Sequence, residues 1–254
     1  MRWDPKQYGR FANERNRAFL DLTARIDATS PRHVVDVGCG PGTLTALLAK
    51  RWPSATVEGI DSSPEMIDAA AGVPGVSFSI VDAADWQLTA DVDVVVSNAA
   101  LQWVPRHQQL MVQWAAALPR DGWLAVQVPG NFNSPSHALL RSLACSDRWA
   151  PALRTVVRDA DAVGTPESYA AVLLGAGMVA DVWESTYLHV LRGDDPVLEW
   201  LRGTGLRPIL AALSSAESQE FSAQLASELR RAYPPGPHGT LFPFRRVFAV
   251  GHKS

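Results

Sequence analysis

Three glycines stand at alternate positions in the stretch GCGPG, at Gly38, Gly40 and Gly42. The β-branched run His33–Val37 directly precedes them and is typical of a buried parallel strand. Because glycine has no Cβ, a turn made of glycines lets the backbone lie close to a ligand. The amphipathic segment after the turn predicts a helix that begins at Thr43, and 55–60 predicts a second strand. The sequence therefore predicts one β-α-β unit with a ligand-binding turn after its first strand.

An acidic residue, Asp61, ends the second predicted strand. It follows the glycines by about twenty positions, where a carboxylate can hold the hydroxyl groups of a ribose. Dinucleotide dehydrogenases share this arrangement, but they require G-x-G-x-x-G so that a helix N-terminus faces a pyrophosphate. Here the third glycine comes one residue early, Pro41 stiffens the turn, and Asp36 lies two residues before the first glycine. A carboxylate at Asp36 would not help to bind a pyrophosphate, but it could organise the turn around a ligand that carries an ammonium group.

The stretch DVGCGPG resembles motif I of the class I S-adenosylmethionine-dependent methyltransferases, and Asp61 resembles the acid with which they bind the ribose. The resemblance implies an α/β fold with a doubly wound, mostly parallel, seven-stranded, Rossmann-like sheet. It also implies S-adenosylmethionine as the cofactor. A nicotinamide-dependent enzyme and a purely structural glycine turn are the alternatives to this interpretation.

Strand and helix patterns alternate after Asp61, with further strands predicted at 76–80, 92–96 and 122–128. Ligands of a doubly wound sheet lie beyond the carboxyl ends of its strands. The residues that follow these strands are therefore expected to contact the cofactor. Together with the glycine turn, the expected cofactor contacts are Asp36, Gly38, Cys39, Gly40, Asp61, Ser62, Met66, Asp82, Ala83, Asn98 and Ala99.

The fourth predicted strand leads into SNAALQW, which ends at Trp103. At this position, the family of methyltransferases that act on the exocyclic amines of nucleobases carries an acidic residue or Asn, followed by two prolines and an aromatic residue. In this chain Asn98 is followed by Ala99, Ala100 and Leu101, without a proline or an adjacent aromatic residue. Methylation of a nucleobase is therefore disfavoured. Trp103 comes slightly later and is predicted to form a wall of the methyl-transfer pocket. A helix is predicted to follow from Pro105 to Leu118.

Two long helical segments interrupt the later part of the pattern, which otherwise continues with strands at 179–190 and 240–250 and with a predicted turn, PPGPHG, directly before the last strand. The segments cover 130–162 and 193–236, and both are longer than an ordinary connection. Because they follow strand ends on the ligand-binding side, we expect them to join as a helical cap on a single methyltransferase domain, 1–254.

Residues 1–30 are predicted to form an N-terminal lid segment. A helix is expected at 10–26, and the residues before it are aromatic and stiff rather than typical of a disordered tail. Tyr8 and either Arg15 or Arg17 are candidates for contact with the ligands. A solvated helix face beside the sheet is the alternative for each of them.

Charge and cysteine content exclude several classes of function. The 254 residues carry a formal net charge of −3, and the pI is near 6.1, so no basic field favours nucleic acid or an anionic membrane. Cys39 and Cys145 lie far apart and form no Cys/His cluster, which predicts a reduced, cytoplasmic protein without a metal. No stretch approaches the roughly eighteen apolar residues that a membrane span needs. The sequence indicates no obligate protein partner.

A closer resemblance extends from about Trp3 to about Val250. The segments WDPKQY, ERNR, GIDSSPEMI, SNAALQWVP, WLRGTGLRP and FPFRRVF resemble the trans-aconitate methyltransferase family. Where that family commonly has NASLQW, this chain has Ala100, which removes a hydroxyl group. The resemblance implies that a methyl group passes from S-adenosylmethionine to one carboxylate of trans-aconitate, a small tricarboxylic acid, to give a monomethyl ester.

This reaction requires no general base, because a carboxylate is already ionised at neutral pH. Catalysis then depends on positioning the acid in a site that excludes water. Arginine suits the remaining carboxylates, because its planar fork binds a carboxylate through two hydrogen bonds. Consecutive strand residues point to opposite faces, so at most one of Arg245 and Arg246 reaches the pocket. The expected positioning residues are Arg207, Trp103, Arg245, Arg15, Tyr8 and His189.

Two other functions stay open at this point. The chain could esterify another small acid or a carrier-bound dicarboxylate, which would favour a basic patch for an acidic carrier and need fewer arginines in the pocket. It could also bind S-adenosylmethionine as a regulator without catalysis. The segment TGLRP, at 204–208, and the anion-binding residues favour the enzyme that acts on the small acid.

Overall fold

The computed structural model describes residues 12–159 and 161–254, with side chains from residue 16 onward. Tyr8 and the side chain of Arg15 therefore lie outside the described part of the chain. The strands are β1 (His33–Val37), β2 (Thr56–Asp61), β3 (Ser77–Ile80), β4 (Val94–Asn98), β5 (Trp123–Pro129), β6 (Val179–Leu191), β7 (Pro235–Gly236) and β8 (Gly239–His252). The helices are α1 (Ala12–Thr23), α2 (Thr45–Arg51), α3 (Pro64–Ala70), α4 (His107–Ala117), α5 (Pro135–Ala144), α6 (Ala150–Leu153), α7 (Pro166–Gly175), α8 (Pro196–Arg202), α9 (Arg207–Ala211) and α10 (Ser215–Ala232).

The strands form one mixed sheet in the order β3-β2-β1-β4-β5-β8-β6, and β7 pairs with β8 beside that path. The neighbours from β3 to β5 are parallel, whereas β8 is antiparallel to β5. From β1 the chain first winds outward through β2 and β3, and it then returns to β4 on the other side of β1. This change of direction is the topological switch point at which α/β sheets bind ligands. The predicted doubly wound fold is confirmed, with the two-residue β7 added to the seven predicted strands.

The two central strands consist mainly of valine. Val34 and Val35 of β1 and Val94 and Val95 of β4 are wholly buried. Continuous apolar runs of this kind are typical of parallel strands that are covered on both faces. The carboxyl ends of β1 and β4 therefore project from a well-packed centre.

Two helices begin two residues later than the sequence predicts. α2 begins at Thr45 rather than at Thr43, which still belongs to the turn. α4 begins at His107 rather than at Pro105, because Arg106 has a left-handed backbone with φ of 56°. A left-handed residue cannot continue into a right-handed helix, so the helix starts after it.

Two strand predictions also need correction. β4 begins at Val94 rather than at Val92, because the N–H of Val92 donates to the carbonyl of Thr89 within a turn. The stretch PPGPHG, predicted as a turn alone, contains β7, in which Pro235 pairs with Thr240 of β8. The turn is therefore the tip of a short hairpin.

The chain divides into two compact units. The first comprises the residues up to Pro129, 164–185 and 246–254, and the second comprises 130–163 and 186–245. The first unit contains the five parallel strands β1 to β5. The predicted cap segments, 130–162 and 193–236, both fall within the second unit. Their action as a cap stays a prediction.

The second unit has an aromatic core of its own. The rings of Trp149 and Phe221 pack edge to face with centroids 5.3 Å apart, and the indole Nε1 of Trp149 donates to Gln224 on α10 at 2.9 Å. Ser214 and Glu217 form a capping box at the start of α10, which satisfies backbone N–H groups at the first turn. No helix in the described ranges is both long and apolar enough to cross a membrane.

Candidate active site

The glycine turn needs glycine for two different reasons. All three glycines have positive φ, with values of 79° at Gly38 and 56° at Gly40. A Cβ added to Gly38 would lie 2.1 Å from the Cβ of Ala100, which is closer than atoms can pack. A Cβ added to Gly40 would meet no atom of the chain within 4 Å. Packing against Ala100 thus requires glycine at Gly38. At Gly40 only the left-handed backbone favours glycine, and the turn there borders open space.

Asp61, at the end of β2, holds the glycine turn in place. Its Oδ2 accepts the backbone N–H of Gly40 at 3.0 Å, and its Oδ1 accepts the N–H of Ser63 at 2.9 Å. Burial raises the pKa of Asp61, and the hydrogen bonds from Ser63, Gly40 and Ser62 oppose that rise. A carboxylate has about four acceptor positions. Asp61 therefore keeps capacity for further donors, such as the hydroxyl groups of a ribose.

Asp36, at the other end of the turn, lies in the interior. It is 3% exposed, and its Oδ2 accepts the hydroxyl of Thr45 at 2.6 Å. Burial raises the pKa of Asp36 to about 7, the hydrogen bond from Thr45 lowers it, and the charge of Asp61 raises it further. Asp36 therefore fastens β1 to the first turn of α2.

A cleft of about 240 Å³ opens beside the turn. Among the predicted cofactor contacts, those that line it are Gly38, Gly40, Asp61, Ser62, Met66, Asp82, Ala83 and Ala99. Three predicted contacts, Asp36, Cys39 and Asn98, are outside the lining set. The Cys39 side chain is buried, and burial raises the pKa of its thiol. The structure thus brings together the ends of β1, β2, β3 and β4, as the doubly wound topology predicts.

Five residues of the cleft are not among those predicted from the sequence. They are Val81, Ala84, Ala100, Val104 and Pro105. Val81, Ala84 and Ala100 each adjoin a predicted cofactor contact, so extending the strand-end rule by one residue would have found them. Val104 and Pro105 follow Trp103 and lie too far beyond the end of β4 for that rule to reach. Trp103, predicted as a wall of the pocket, does line the cleft.

The start of α3 forms part of the wall of the cleft. Ser63 caps the helix, and its hydroxyl accepts the N–H of Met66 at 3.4 Å. Pro64 follows the cap, as is common at the first helical position. The Met66 side chain is 3% exposed but borders the cleft. The exposed Asp82, which also lines the cleft, accepts the N–H of Ala84 at 2.9 Å.

The loop after β4 holds Ala99 in a strained conformation. Its φ is 55°, and a left-handed backbone costs a residue with a Cβ about 1–2 kcal/mol. Two hydrogen bonds maintain it: the N–H of Ala99 donates to the carbonyl of Gln127 at 2.9 Å, and Gln102 Nε2 donates to the carbonyl of Ala99 at 2.6 Å. The strained residue lines the cleft, where such conformations often have a functional reason.

Three other predicted positioning residues, Arg207, Arg245 and His189, lie in the second unit. Arg207 is half-buried and begins α9 after the break that follows α8. Arg245 is half-buried, and its Nη1 donates to the carbonyl of Gly130 at 2.9 Å. His189 is buried, and its ring stacks on Trp200 with centroids 4.9 Å apart.

Known methyltransferases are similar to this chain in sequence. Residues 34–122 match the family profile described as a methyltransferase domain. A trans-aconitate 2-methyltransferase from Streptomyces avermitilis is 50% identical over 260 residues, which cover 99% of this chain and 97% of that protein. One from Rhodococcus jostii is 52% identical over 250 residues, which cover 98% of each chain. The chain belongs to the trans-aconitate 2-methyltransferase family. The resemblance predicted from the sequence motifs is confirmed.

Solved structures agree with the fold of this trans-aconitate 2-methyltransferase family member. The YcgJ protein from Bacillus subtilis has a TM-score of 0.61 and 15% identity, covering 93% of this chain and 98% of that one. A phosphoethanolamine N-methyltransferase from Haemonchus contortus, solved with S-adenosyl-L-methionine, has a TM-score of 0.54 and 15% identity, covering 94% and 53%. Identities this low support the fold alone. All residues that line the cleft fall within the matched methyltransferase domain.

Proposed function

We propose that the protein transfers the methyl group of S-adenosylmethionine to one carboxylate of trans-aconitate. The products are the monomethyl ester and S-adenosylhomocysteine. The observation that carries the proposal is the identity of 50% with a relative of that activity over almost the whole length of both chains. Both the part that forms the cleft and the segments predicted to recognise the acid are included in that match.

The cleft fits the cofactor by its own chemistry. Asp61 has acceptor capacity for ribose hydroxyl groups, and Gly40 borders space that a Cβ would otherwise enter. Asn98 Oδ1 is buried and has no hydrogen-bond partner among the described residues, so it suits a donor such as the ammonium group of the cofactor's methionine part. Met66 and Asp82 offer a soft apolar surface and an acceptor for the adenine. When bound, the cofactor supplies an electrophilic methyl group on a positively charged sulfur.

The protein's own contribution to the reaction is to position the acid. A carboxylate oxygen is ionised at neutral pH and needs no base to attack the methyl carbon. The new bond joins that oxygen to the methyl carbon, and the bond between carbon and sulfur breaks. Because the reaction neutralises a pair of opposite charges, a site that excludes water favours the transition state over the separated ions. Holding the carboxylate oxygen in line with the methyl carbon, at about 3 Å, supplies most of the remaining rate enhancement.

Several residues are proposed to hold the acid. Trp103 forms one wall of the cleft, and Arg207 supplies a guanidinium for a carboxylate of the substrate. Tyr8 and Arg15 stay predictions, since the structure does not describe their side chains. His189, whose ring packs against Trp200 and Phe244, also stays a prediction.

A transfer assay with labelled S-adenosylmethionine tests the proposal. The acids to compare are trans-aconitate, cis-aconitate, citrate, isocitrate and a malonyl-carrier protein. Preferential formation of a base-labile ester on trans-aconitate supports the proposal. Preference for the carrier-bound acid would mean that a carrier-bound dicarboxylate, and not trans-aconitate, is the substrate. Binding of the cofactor by calorimetry without transfer to any acid would leave a cofactor-binding regulator.

A further inference from the structure

Val104 and Pro105 form the part of the cleft wall that leads into α4. Their backbone lies in a bend and a turn between β4 and that helix. The N–H of Val104 donates to the carbonyl of Leu101 at 3.0 Å, and the carbonyl of Val104 faces the side chain of His107. The position of this wall therefore depends on His107, the first residue of α4.

His107 is 6% exposed, and each nitrogen of its ring has a partner. Nδ1 lies 3.3 Å from the carbonyl oxygen of Val104, and Nε2 lies 2.6 Å from the hydroxyl of Tyr169 on α7. Because a carbonyl can only accept a hydrogen bond, Nδ1 must carry the proton of the neutral ring. Nε2 is then the acceptor, and the hydroxyl of Tyr169 donates to it.

The surroundings of Tyr169 agree with this direction of the hydrogen bonds. Tyr169 is 1% exposed. Burial raises the pKa of Tyr169 to about 12, and a hydrogen bond from the backbone of Gly164 opposes that rise. The hydroxyl therefore keeps its proton at neutral pH, accepts from Gly164 and donates to His107. A chain of hydrogen bonds thus runs from Gly164 through Tyr169 and His107 to the carbonyl of Val104.

We propose that His107 is a positioning residue for the cofactor, which holds the Val104 wall of the cleft in place while Tyr169 fixes the tautomer of its ring. The inference rests on the proposed function, because it takes the cleft to be the site of S-adenosylmethionine. The other end of the loop after β4, at the strained Ala99, is also fixed by hydrogen bonds. A loop that is held at both ends needs little ordering when the cofactor binds, and this favours affinity.

The alternative is that His107 only joins α4 to α7, and two variants separate these roles because each keeps one of the two hydrogen bonds. In His107→Asn, the amide nitrogen lies about where Nδ1 lies and can still donate to Val104, but the side chain is too short for Tyr169. In His107→Gln, the amide oxygen reaches about the place of Nε2 and can accept from Tyr169, but Val104 loses its donor.

Calorimetric titration with S-adenosylmethionine measures the effect of each variant on the Kd. His107→Gln should raise the Kd about threefold to tenfold, as expected for the loss of one hydrogen bond. His107→Asn should stay within about twofold of the wild type, although its thermal midpoint should be the lower of the two. Joining the helices alone predicts an unchanged Kd in both variants. That result, or a larger rise in His107→Asn than in His107→Gln, overturns the proposal.

Tyr169→Phe tests the chain of hydrogen bonds without changing His107. With no donor to hold the proton on Nδ1, the Kd should rise, but by less than in His107→Gln. An unchanged Kd would overturn the part assigned to Tyr169. Tyr233→Phe is the matched control, because it removes another buried tyrosine hydroxyl, which accepts the N–H of Ser136 at 3.1 Å. It should leave the Kd unchanged.

Nitrogen NMR of the wild-type protein reads the tautomer of His107 directly. The ring should carry its proton on Nδ1, and a proton on Nε2 alone would overturn the proposal even if the His107 variants do not fold. The wild type is also titrated first. If it binds no S-adenosylmethionine, the proposed function fails. If it binds the cofactor and methylates trans-aconitate while His107→Gln keeps the same Kd, only the positioning role fails.

Discussion

The carboxylate of Asp61 accepts the backbone N–H of Gly40 at 3.0 Å and thereby ties the end of β2 to the glycine turn after β1. Its other oxygen accepts the N–H of Ser63 at the start of α3. One side chain thus holds two walls of the cleft in register. The same carboxylate retains acceptor capacity on the side of the cleft that it lines.

Asp61→Asn should weaken cofactor binding about tenfold or more, because the amide has only one oxygen and one of the two N–H groups loses its acceptor. The free energy of unfolding should fall by about 1–3 kcal/mol for the same reason. Calorimetric titration with S-adenosylmethionine and urea unfolding measure the two effects. Asp68→Asn, on the exposed side of α3, is the matched control. Unaltered affinity in Asp61→Asn would remove Asp61 from the cofactor site.

The buried Asp36 should make stability depend on pH. Its pKa in the folded protein is raised to about 7, so the folded state binds this proton more tightly than the unfolded state. The resulting stabilisation is complete below the unfolded pKa of about 3.9 and is lost as the pH rises to about 7. Asp36→Asn keeps an oxygen acceptor for Thr45 but cannot ionise.

We therefore expect Asp36→Asn to be more stable than the wild type at pH 8, by on the order of a few kcal/mol. The difference should shrink steadily towards pH 4. Urea unfolding of the two proteins without cofactor, at intervals across this range, gives the comparison. A difference that is constant with pH would mean that Asp36 titrates normally in the folded protein.

Gly38→Ala should destabilise the protein more than Gly40→Ala. Both changes place a Cβ on a left-handed backbone, which costs about 1–2 kcal/mol. Gly38→Ala adds a collision with Ala100, for about 1–3 kcal/mol more. The double variant Gly38→Ala/Ala100→Gly should recover the stability that the collision costs. The free energies of unfolding of the wild type, the two single variants and the double variant measure this recovery. Equal losses in the two single variants would contradict the packing role of Gly38.

Arg207→Ala should raise the apparent KM for trans-aconitate about tenfold or more and leave the KM for S-adenosylmethionine unchanged, since one charged hydrogen-bonding group is removed. Steady-state kinetics with each substrate varied in turn provide both values. Arg154→Ala, an exposed arginine of the second unit, is the control. If the KM for the acid does not change, Arg207 is not a substrate residue.

The sequence alone predicts the parts of the site that depend on local chemistry. The valine run of β1, the glycines and Asp61 lie close together in the chain, and their types dictate a strand, a turn and an acceptor. The strand-end rule then places Asp82 and Ala99 at the same edge of the sheet. These positions follow from period and topology and need no knowledge of tertiary packing.

The hydrogen bond between Arg246 and Gln127, by contrast, cannot be predicted from the local sequence. Alternation along a strand predicts that Arg245 and Arg246 point to opposite faces, but it does not say which face meets β5. That choice depends on the register between β8 and β5, whose paired side chains are 119 residues apart in the chain. The left-handed backbone of Ala99 is equally hidden, because alanine carries no local preference for it.

The central claim is methyl transfer to a carboxylate of trans-aconitate, and mass spectrometry of the product tests it most directly. The protein is incubated with trans-aconitate and S-adenosylmethionine whose methyl group carries an isotopic label. The account predicts a product heavier than trans-aconitate by one labelled methylene unit, which mild base returns to trans-aconitate with release of labelled methanol. A labelled product that resists base, or recovery of unmodified acid together with intact cofactor, would contradict it.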